Sequence, residues 1–210
     1  MRFYPVKTLL ITKSIFNKWI WSFKTKSKEV YLTFDDGPIP EITPWVLNQL
    51  DLHNAKATFF CIGDNIRKHP DVFHQLIEKG HRVGNHTFNH LKGWKTKKEV
   101  YLQNTSKAEA YLKNQNQPKL FRPPYGSITH QQSKHLRMLG YKIIMWDVLS
   151  ADFDQSLTAK QCTNNVLKNV KKGSIIVFHD SKKAFPRLKE TLPKVLEELH
   201  KKGFQFKVIP

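Results

Sequence analysis

Short, uniformly apolar runs alternate along this chain with longer segments that are apolar on one side only. Val30, Tyr31, Leu32 and Phe34 form the first run, and residues 57–62, 81–85, 119–121, 141–146, 174–178 and 204–208 follow. Runs of this length and character are the pattern of strands buried on both faces. Between them, apolar positions recur at helical spacing. Ile42, Val46, Leu47 and Leu50 share one side of a helix that opens at Pro40-Glu41 and reaches about residue 52. Further helices are predicted over 70–79, 96–112, 129–139, 158–170 and 185–201, with a short turn capped by Asp64. Gly80 follows one of them, where glycine suits a left-handed C-terminal position. About seven strands, most followed by a helix, predict an α/β fold with a parallel sheet. A parallel barrel fits best. An open doubly wound sheet is the alternative, but no Gly-rich phosphate loop marks a nucleotide site.

A length of 210 residues suits one domain with a sizeable core. The strands and helices occupy 29–210. Residues 1–28 form a basic, aromatic segment expected to pack on that domain, covering one end of it. Trp19, Ile20, Trp21 and Phe23 lie among lysines there, so a peripheral membrane contact is the other reading. The segment is too short and too polar to span a bilayer, and it lacks the pattern of a cleavable signal peptide. Localisation stays open between cytoplasmic and membrane- or envelope-associated. The two cysteines, Cys61 and Cys162, form no CxxC pair, so neither a disulfide framework nor a thiolate metal site is expected. Cys61 ends an apolar strand and should be buried. Lys and Arg total 35 against 17 Asp and Glu, a formal net charge of +18. That charge reads as a solvated surface or as attraction to a polyanion such as an anionic glycan. No RNA- or DNA-binding fingerprint accompanies it, so nucleic acid is not an expected partner. The chain is expected to be a monomer.

Chemistry-bearing residues gather just past the predicted strands. Asp35 and Asp36 follow the first, His86 and His90 the third, and Arg122 and Tyr125 the fourth. Asp147 and Asp152 follow the fifth, and His179 and Asp180 the sixth. In a parallel barrel all these ends share one face. His86 and His90 are four apart, a spacing that brings two imidazoles to one side of a helix or tight turn. Two imidazoles and a carboxylate suit Zn²⁺ or another divalent first-row ion, non-haem Fe(II) included.

Four stretches, Thr33-Phe34-Asp35-Asp36-Gly37-Pro38, His86-Thr87-x-x-His90, Arg122-Pro123-Pro124-Tyr125-Gly126 and Val177-Phe178-His179, resemble the ordered motifs of the polysaccharide deacetylase family. These are the NodB-homology, or carbohydrate esterase family 4, proteins, and the resemblance spans about 29–210. It implies a distorted, incomplete (β/α) barrel. It also implies a hydrolase that removes N-acetyl groups from an acetylated glycan such as peptidoglycan or a chitin-like polymer. Asp36, His86 and His90 match the metal ligands, with Zn²⁺ the leading ion and Co²⁺ or Ni²⁺ also suitable. Asp35 matches the catalytic base, Arg122 the arginine that holds it, and His179 the catalytic acid. Tyr125 matches the position whose backbone N–H binds the oxyanion, with Pro124 beside it. Asp152 matches the acid that orients the histidine, with Asp147 a competitor for that role. One departure stands out: Phe153 follows Asp152 where the family commonly has Trp. A non-catalytic carbohydrate-binding protein and a deacetylase of a small or O-acetylated substrate remain the alternatives. No key residue is missing.

Overall fold

The structure, a computed structural model, describes residues 4–113 and 115–210. Helix α1 (Leu10–Ile15) lies in the N-terminal segment. Then come β1 (Glu29–Asp35), α2 (Ile42–Leu52), β2 (Ala57–Cys61), α3 (Gly63–Lys68), α4 (Pro70–Glu78) and β3 (Arg82–Asn85). They are followed by α5 (Lys98–Leu112), β4 (Leu120–Phe121), α6 (His130–Met138), β5 (Lys142–Ile143) and β6 (Val148–Leu149). The chain ends with α7 (Ala159–Leu167), β7 (Ile175–His179), α8 (Phe185–Lys201) and β8 (Gln205–Phe206). The strands run parallel in the order β5-β4-β3-β2-β1-β7-β6, and β8 pairs with the first residues of β1. The sheet curls into an incomplete (β/α) barrel whose two edges are β5 and β6.

Strand alternation explains what faces where. Val30, Leu32 and Phe34 of β1 join the large apolar cluster under the helices, with Phe59 of β2, Phe178 of β7 and Leu188, Leu192, Val195, Leu196 and Leu199 of α8. Successive side chains point to opposite faces of a strand. The intervening Tyr31, Thr33 and Asp35 therefore face the barrel interior. Phe60 and Ile175 accompany Tyr31 there, with Leu120, Ile144 and Ile209. The interior is apolar at its base and becomes polar toward the C-terminal ends of the strands.

The predicted strand over 141–146 does not exist as one element. Its start is β5 at one edge, and the chain then crosses to β6 at the opposite edge. The cause is a tertiary contact. The carbonyls of Ile144 and Met145 accept hydrogen bonds from the Arg122 side chain instead of joining a ladder. The N-terminal segment runs along the resulting seam rather than over one end. Ile20 N–H donates to the Ile143 carbonyl at 2.8 Å, and Met145 N–H to the Ile20 carbonyl at 2.7 Å. On the other side Thr8 N–H donates to the Asp147 carbonyl at 3.0 Å, and Leu149 N–H to that of Val6 at 2.8 Å. Trp21 is buried in this seam, and the Trp19 indole N–H donates to Ser133 Oγ of α6. Both cysteines are free and buried. Among the described residues no helix is long and apolar enough to cross a membrane.

Candidate active site

Asp35 ends β1 with its side chain turned into the barrel, where Arg122 crosses from just past β4. Arg122 is fully buried, and its guanidinium lies 4.2 Å from the Phe60 ring centroid. Nη1 donates to Asp35 Oδ1 at 2.8 Å and to Thr33 Oγ1 at 2.7 Å. Nη2 donates to the Met145 carbonyl at 2.9 Å and Nε to that of Ile144 at 3.3 Å. A two-bond grip on Asp35 is therefore not formed. One nitrogen holds the carboxylate while the others fix the guanidinium to its surroundings.

The next residue, Asp36, has φ +84°, and this left-handed turn swings its carboxylate away from Asp35. Three groups hold the turn. Asn65 Nδ2 donates to the Asp36 carbonyl at 2.7 Å, and Gly37 N–H donates to Asp180 Oδ1 at 3.0 Å. Asp180 also accepts from Thr43 Oγ1 at 2.6 Å, and its own N–H donates to the Asp35 carbonyl. A Cβ on residue 37 would fall 2.0 Å from Asp180 Oδ2, so only glycine fits. Burial, helped by the nearby Asp36 charge and opposed by the Thr43 and Gly37 donors, pushes the Asp180 carboxyl up to about 8.

His86 and His90 leave the end of β3 on a loop, not on a helix. Thr87 and His90 have φ of +63° and +57°. Asn85 Oδ1 accepts from Thr87 N–H, and Asn104 of α5 accepts from the N–H groups of Phe88 and Asn89. These bonds turn the loop tightly enough to bring the two rings to 5.0 Å between centroids. His86 Nδ1 lies 2.7 Å from the Arg122 carbonyl, which can only accept. The proton therefore sits on Nδ1, and Nε2 is left with its lone pair. Burial pulls the His86 pKa down to about 4, so the ring is neutral. Asp36 Oδ1 is 3.8 Å from His86 Nε2 and 3.2 Å from His90 Nε2. Burial favours a protonated Asp36, but the contact with His90 and the charge of His179 outweigh it and hold its pKa low. The donor atoms of the three side chains lie within 4.8 Å of one another. Asp36 Oδ1 is buried without a hydrogen-bond partner. A buried anionic oxygen without a donor, facing an imidazole lone pair, fits a divalent cation.

His179 ends β7 and is the register partner of Asp35. Asp152, fully buried, takes both its Nδ1 and its backbone N–H at 2.8 Å. Burial alone would lower the His179 pKa. The charge and hydrogen bond of Asp152, followed by the charges of Asp36 and Asp35, raise it to about 9. The competitor Asp147 is occupied elsewhere: its carboxylate binds Lys7, Lys13 and Ser174. Tyr125 lies in a 3-10 turn, Pro124–Gly126, with φ +59°. Its exposed ring sits 4.6 Å from the His90 ring, and Lys92 Nζ lies 5.6 Å from its centroid. Pro124 is buried beneath. The next residue must be glycine, because Gly126 has φ +63° and a Cβ there would lie 2.6 Å from Trp146.

The family model for polysaccharide deacetylases matches residues 23–144, a span that carries Asp35, Asp36, His86, His90, Arg122 and Tyr125. The chain belongs to the polysaccharide deacetylase family. It is 37% identical over 185 residues to a peptidoglycan-N-acetylglucosamine deacetylase of Bacillus cereus, covering 87% of this chain and 67% of that protein. A second B. cereus protein of the same name is 34% identical over 188 residues, covering 89% and 88%. The crystal structure of the Bc1960 peptidoglycan N-acetylglucosamine deacetylase superposes with a TM-score of 0.86 at 34% identity, covering 94% of each chain.

In this member of the deacetylase family, Phe153 packs edge-on against His179 at 5.1 Å and is covered by Tyr4 at 5.4 Å. The ring that replaces the usual indole is thus backed by the N-terminal segment, and the Tyr4 hydroxyl donates to Asp154. Sequence reasoning left several supporting residues without a role. Thr33 was legible in principle, since alternation puts it on the same face as Asp35. Asp180 was noted at a strand end without a function. Asn65, Asn85 and Asn104 carry no local signal at all.

Proposed function

We propose that this chain is a metal-dependent deacetylase that hydrolyses the N-acetyl group of N-acetylglucosamine-type residues in a glycan, peptidoglycan or chitin-like. The observation that carries the proposal is the pairing of a carboxylate, Asp35, with a protonated imidazole, His179, on neighbouring strands beside the cluster of Asp36, His86 and His90. The peptidoglycan deacetylase relatives support the substrate class. Asp36, His86 and His90 would hold the ion, and a neutral imidazole with a carboxylate suits Zn²⁺ best. When bound, such an ion supplies Lewis-acid polarisation of the amide carbonyl and makes a nearby water easier to deprotonate.

The protein's own groups do the rest. Asp35, bonded to Arg122, takes the proton of the attacking water as its oxygen bonds the carbonyl carbon. Arg122 keeps that carboxylate in place without sharing its proton. The backbone N–H of Tyr125, above Pro124, stabilises the oxyanion. His179 gives its proton to the sugar nitrogen as the C–N bond breaks, releasing acetate and a free amine. Asp152 keeps the imidazole protonated and oriented. The net charge of +18 favours an anionic glycan over a neutral one. Acetate release from N-acetylglucosamine oligomers and from peptidoglycan tests the proposal. The wild type is expected to turn over, and Asp35→Asn and His179→Ala to lose nearly all activity. Wild-type rates in both variants would refute it.

A further inference from the structure

Helix α1 is mounted with its polar side inward. Lys13 reaches the buried carboxylate of Asp147 at 2.5 Å, which turns that side of the helix toward the barrel seam. Leu10, Ile11 and Ile15 lie on the other side and are 83%, 66% and 68% exposed. No residue of α1 is buried. Surface helices of soluble domains are oriented the other way, with the apolar stripe on the core. Leu9 and Phe16, which flank the helix, are exposed as well. Phe16 stacks on Trp19 at 4.5 Å, and Trp19 is bonded to α6, so the ridge is fixed to the domain.

A basic cleft adjoins this ridge. Lys18, in the turn that ends α1, lines it with His130, Lys134, Arg137 and Met138, and no acidic side chain takes part. Lys98 and His135 line a second cleft that shares Lys134 and Met138. Arg137 Nε is buried there without a partner. Met138 and Leu139 are exposed beside these cations.

We propose that this face docks on an anionic lipid bilayer, the apolar ridge of α1 among the acyl chains and Lys18, Lys134 and Arg137 on phosphate headgroups. The ridge projects rather than forming a groove, which suits a fluid apolar medium. A second copy of the chain is disfavoured, because two such faces would bring like-charged clefts together. Asp147 lies at the N-terminal end of β6, whereas Asp152 lies past the opposite end of β6 and His179 at the corresponding end of β7. The docked protein therefore keeps its strand-end rim free.

Co-sedimentation of the full chain with vesicles of phosphatidylcholine, with and without phosphatidylglycerol, tests this. Binding is expected only with phosphatidylglycerol. The combined Leu10→Ser, Ile11→Ser, Ile15→Ser variant should lose about tenfold or more in affinity while keeping its melting temperature. Lys18→Gln with Lys134→Gln should weaken binding and flatten its salt dependence. Equal affinity of the triple serine variant and the wild type would overturn the proposal, since binding would then be simple adsorption of a basic protein. So would absence of binding to the anionic vesicles. A dimer in sedimentation velocity that the serine variant converts to monomer would overturn it in favour of a second copy.

Discussion

Asp35 and His179 are register partners across the β1–β7 ladder. Partners on parallel strands present their side chains to the same face, so both groups enter the barrel interior side by side. Each is held from behind by an opposite charge, Asp35 by Arg122 and His179 by Asp152. This asymmetry separates their roles. The carboxylate that faces a guanidinium is placed to take a proton, and the imidazole that faces a buried carboxylate, with its pKa raised to about 9, is placed to give one.

Asp152→Asn removes the charge that keeps the proton on His179. The alkaline limb of the pH–rate profile should lie near 9 in the wild type and move toward neutral in the variant. The maximal rate should fall by about 10²–10⁴-fold, the usual worth of a positioned acid. Stability follows the same sign. A histidine pKa raised from 6.5 to about 9 contributes stability fully present below about 6.5 and lost as pH rises through about 9. The variant should therefore melt below the wild type at pH 6 and match it more closely at pH 10. An alkaline limb that does not move would show that Asp152 does not set the titration.

Removing a divalent ion with a chelator should abolish acetate release, and adding Zn²⁺ or Co²⁺ should restore it. Binding to the folded state alone also raises stability, by about 2.7 kcal/mol at a hundred times the dissociation constant. Wild-type protein should therefore show a higher Tm with the ion present, and Asp36→Ala and His86→Ala should not. A chelator-treated protein that keeps full activity would exclude metal dependence.

Arg122 serves four acceptors from one buried position, so its replacements should be graded. Arg122→Met leaves the Asp35 charge uncompensated and the Ile144 and Met145 carbonyls unpaired, a loss of about 3–5 kcal/mol. Arg122→Lys keeps the charge but cannot span the set, and should cost about 1–3 kcal/mol. Both should depress the rate, because Asp35 is no longer held. Urea unfolding orders the three proteins, and equal midpoints would contradict this account.

The sheet was legible because β1, β2 and β7 are continuous apolar runs, and the ends of β1 and β7 carry Asp35, Asp36 and His179. What local pattern could not report were contacts made far along the chain. Residues 141–146 look like one strand, yet Arg122 claims the carbonyls of Ile144 and Met145. Asp147 and Asp152 both follow an apolar run, and only their partners, Lys7 and Lys13 for one and His179 for the other, tell them apart. The His86–His90 spacing pointed to a shared site on a helix or a tight turn, and it is the tight turn, with left-handed Thr87 and His90, that produces the convergence. In the N-terminal segment, the aromatics around Trp19 and Trp21 were the membrane candidates. They pack on the domain instead, and the aliphatic residues of α1 are the exposed ones.

Asp147 ties the N-terminal segment into the seam by binding Lys7 and Lys13, 140 and 134 residues earlier in the chain. Asp147→Ala should free both lysines and loosen the strip that joins β5 to β6. The lysine side chains are partly exposed, so solvent screening reduces the value for a fully buried pair, and a loss of about 1–3 kcal/mol is expected. Burial raises the Asp147 pKa, but hydrogen bonds from Lys13, Lys7 and Ser174 outweigh it and the net shift is downward. The contribution is therefore present above the ordinary carboxylate range and lost as pH falls through the lowered value. The difference in Tm between wild type and variant should narrow on acidification. Hydrogen exchange locates the effect: the amides of Thr8, Ile20, Met145 and Leu149 should lose protection, while those of β1 and β2 keep theirs. Unchanged protection at Ile20 and Leu149 would mean that the strip holds without its ionic anchor.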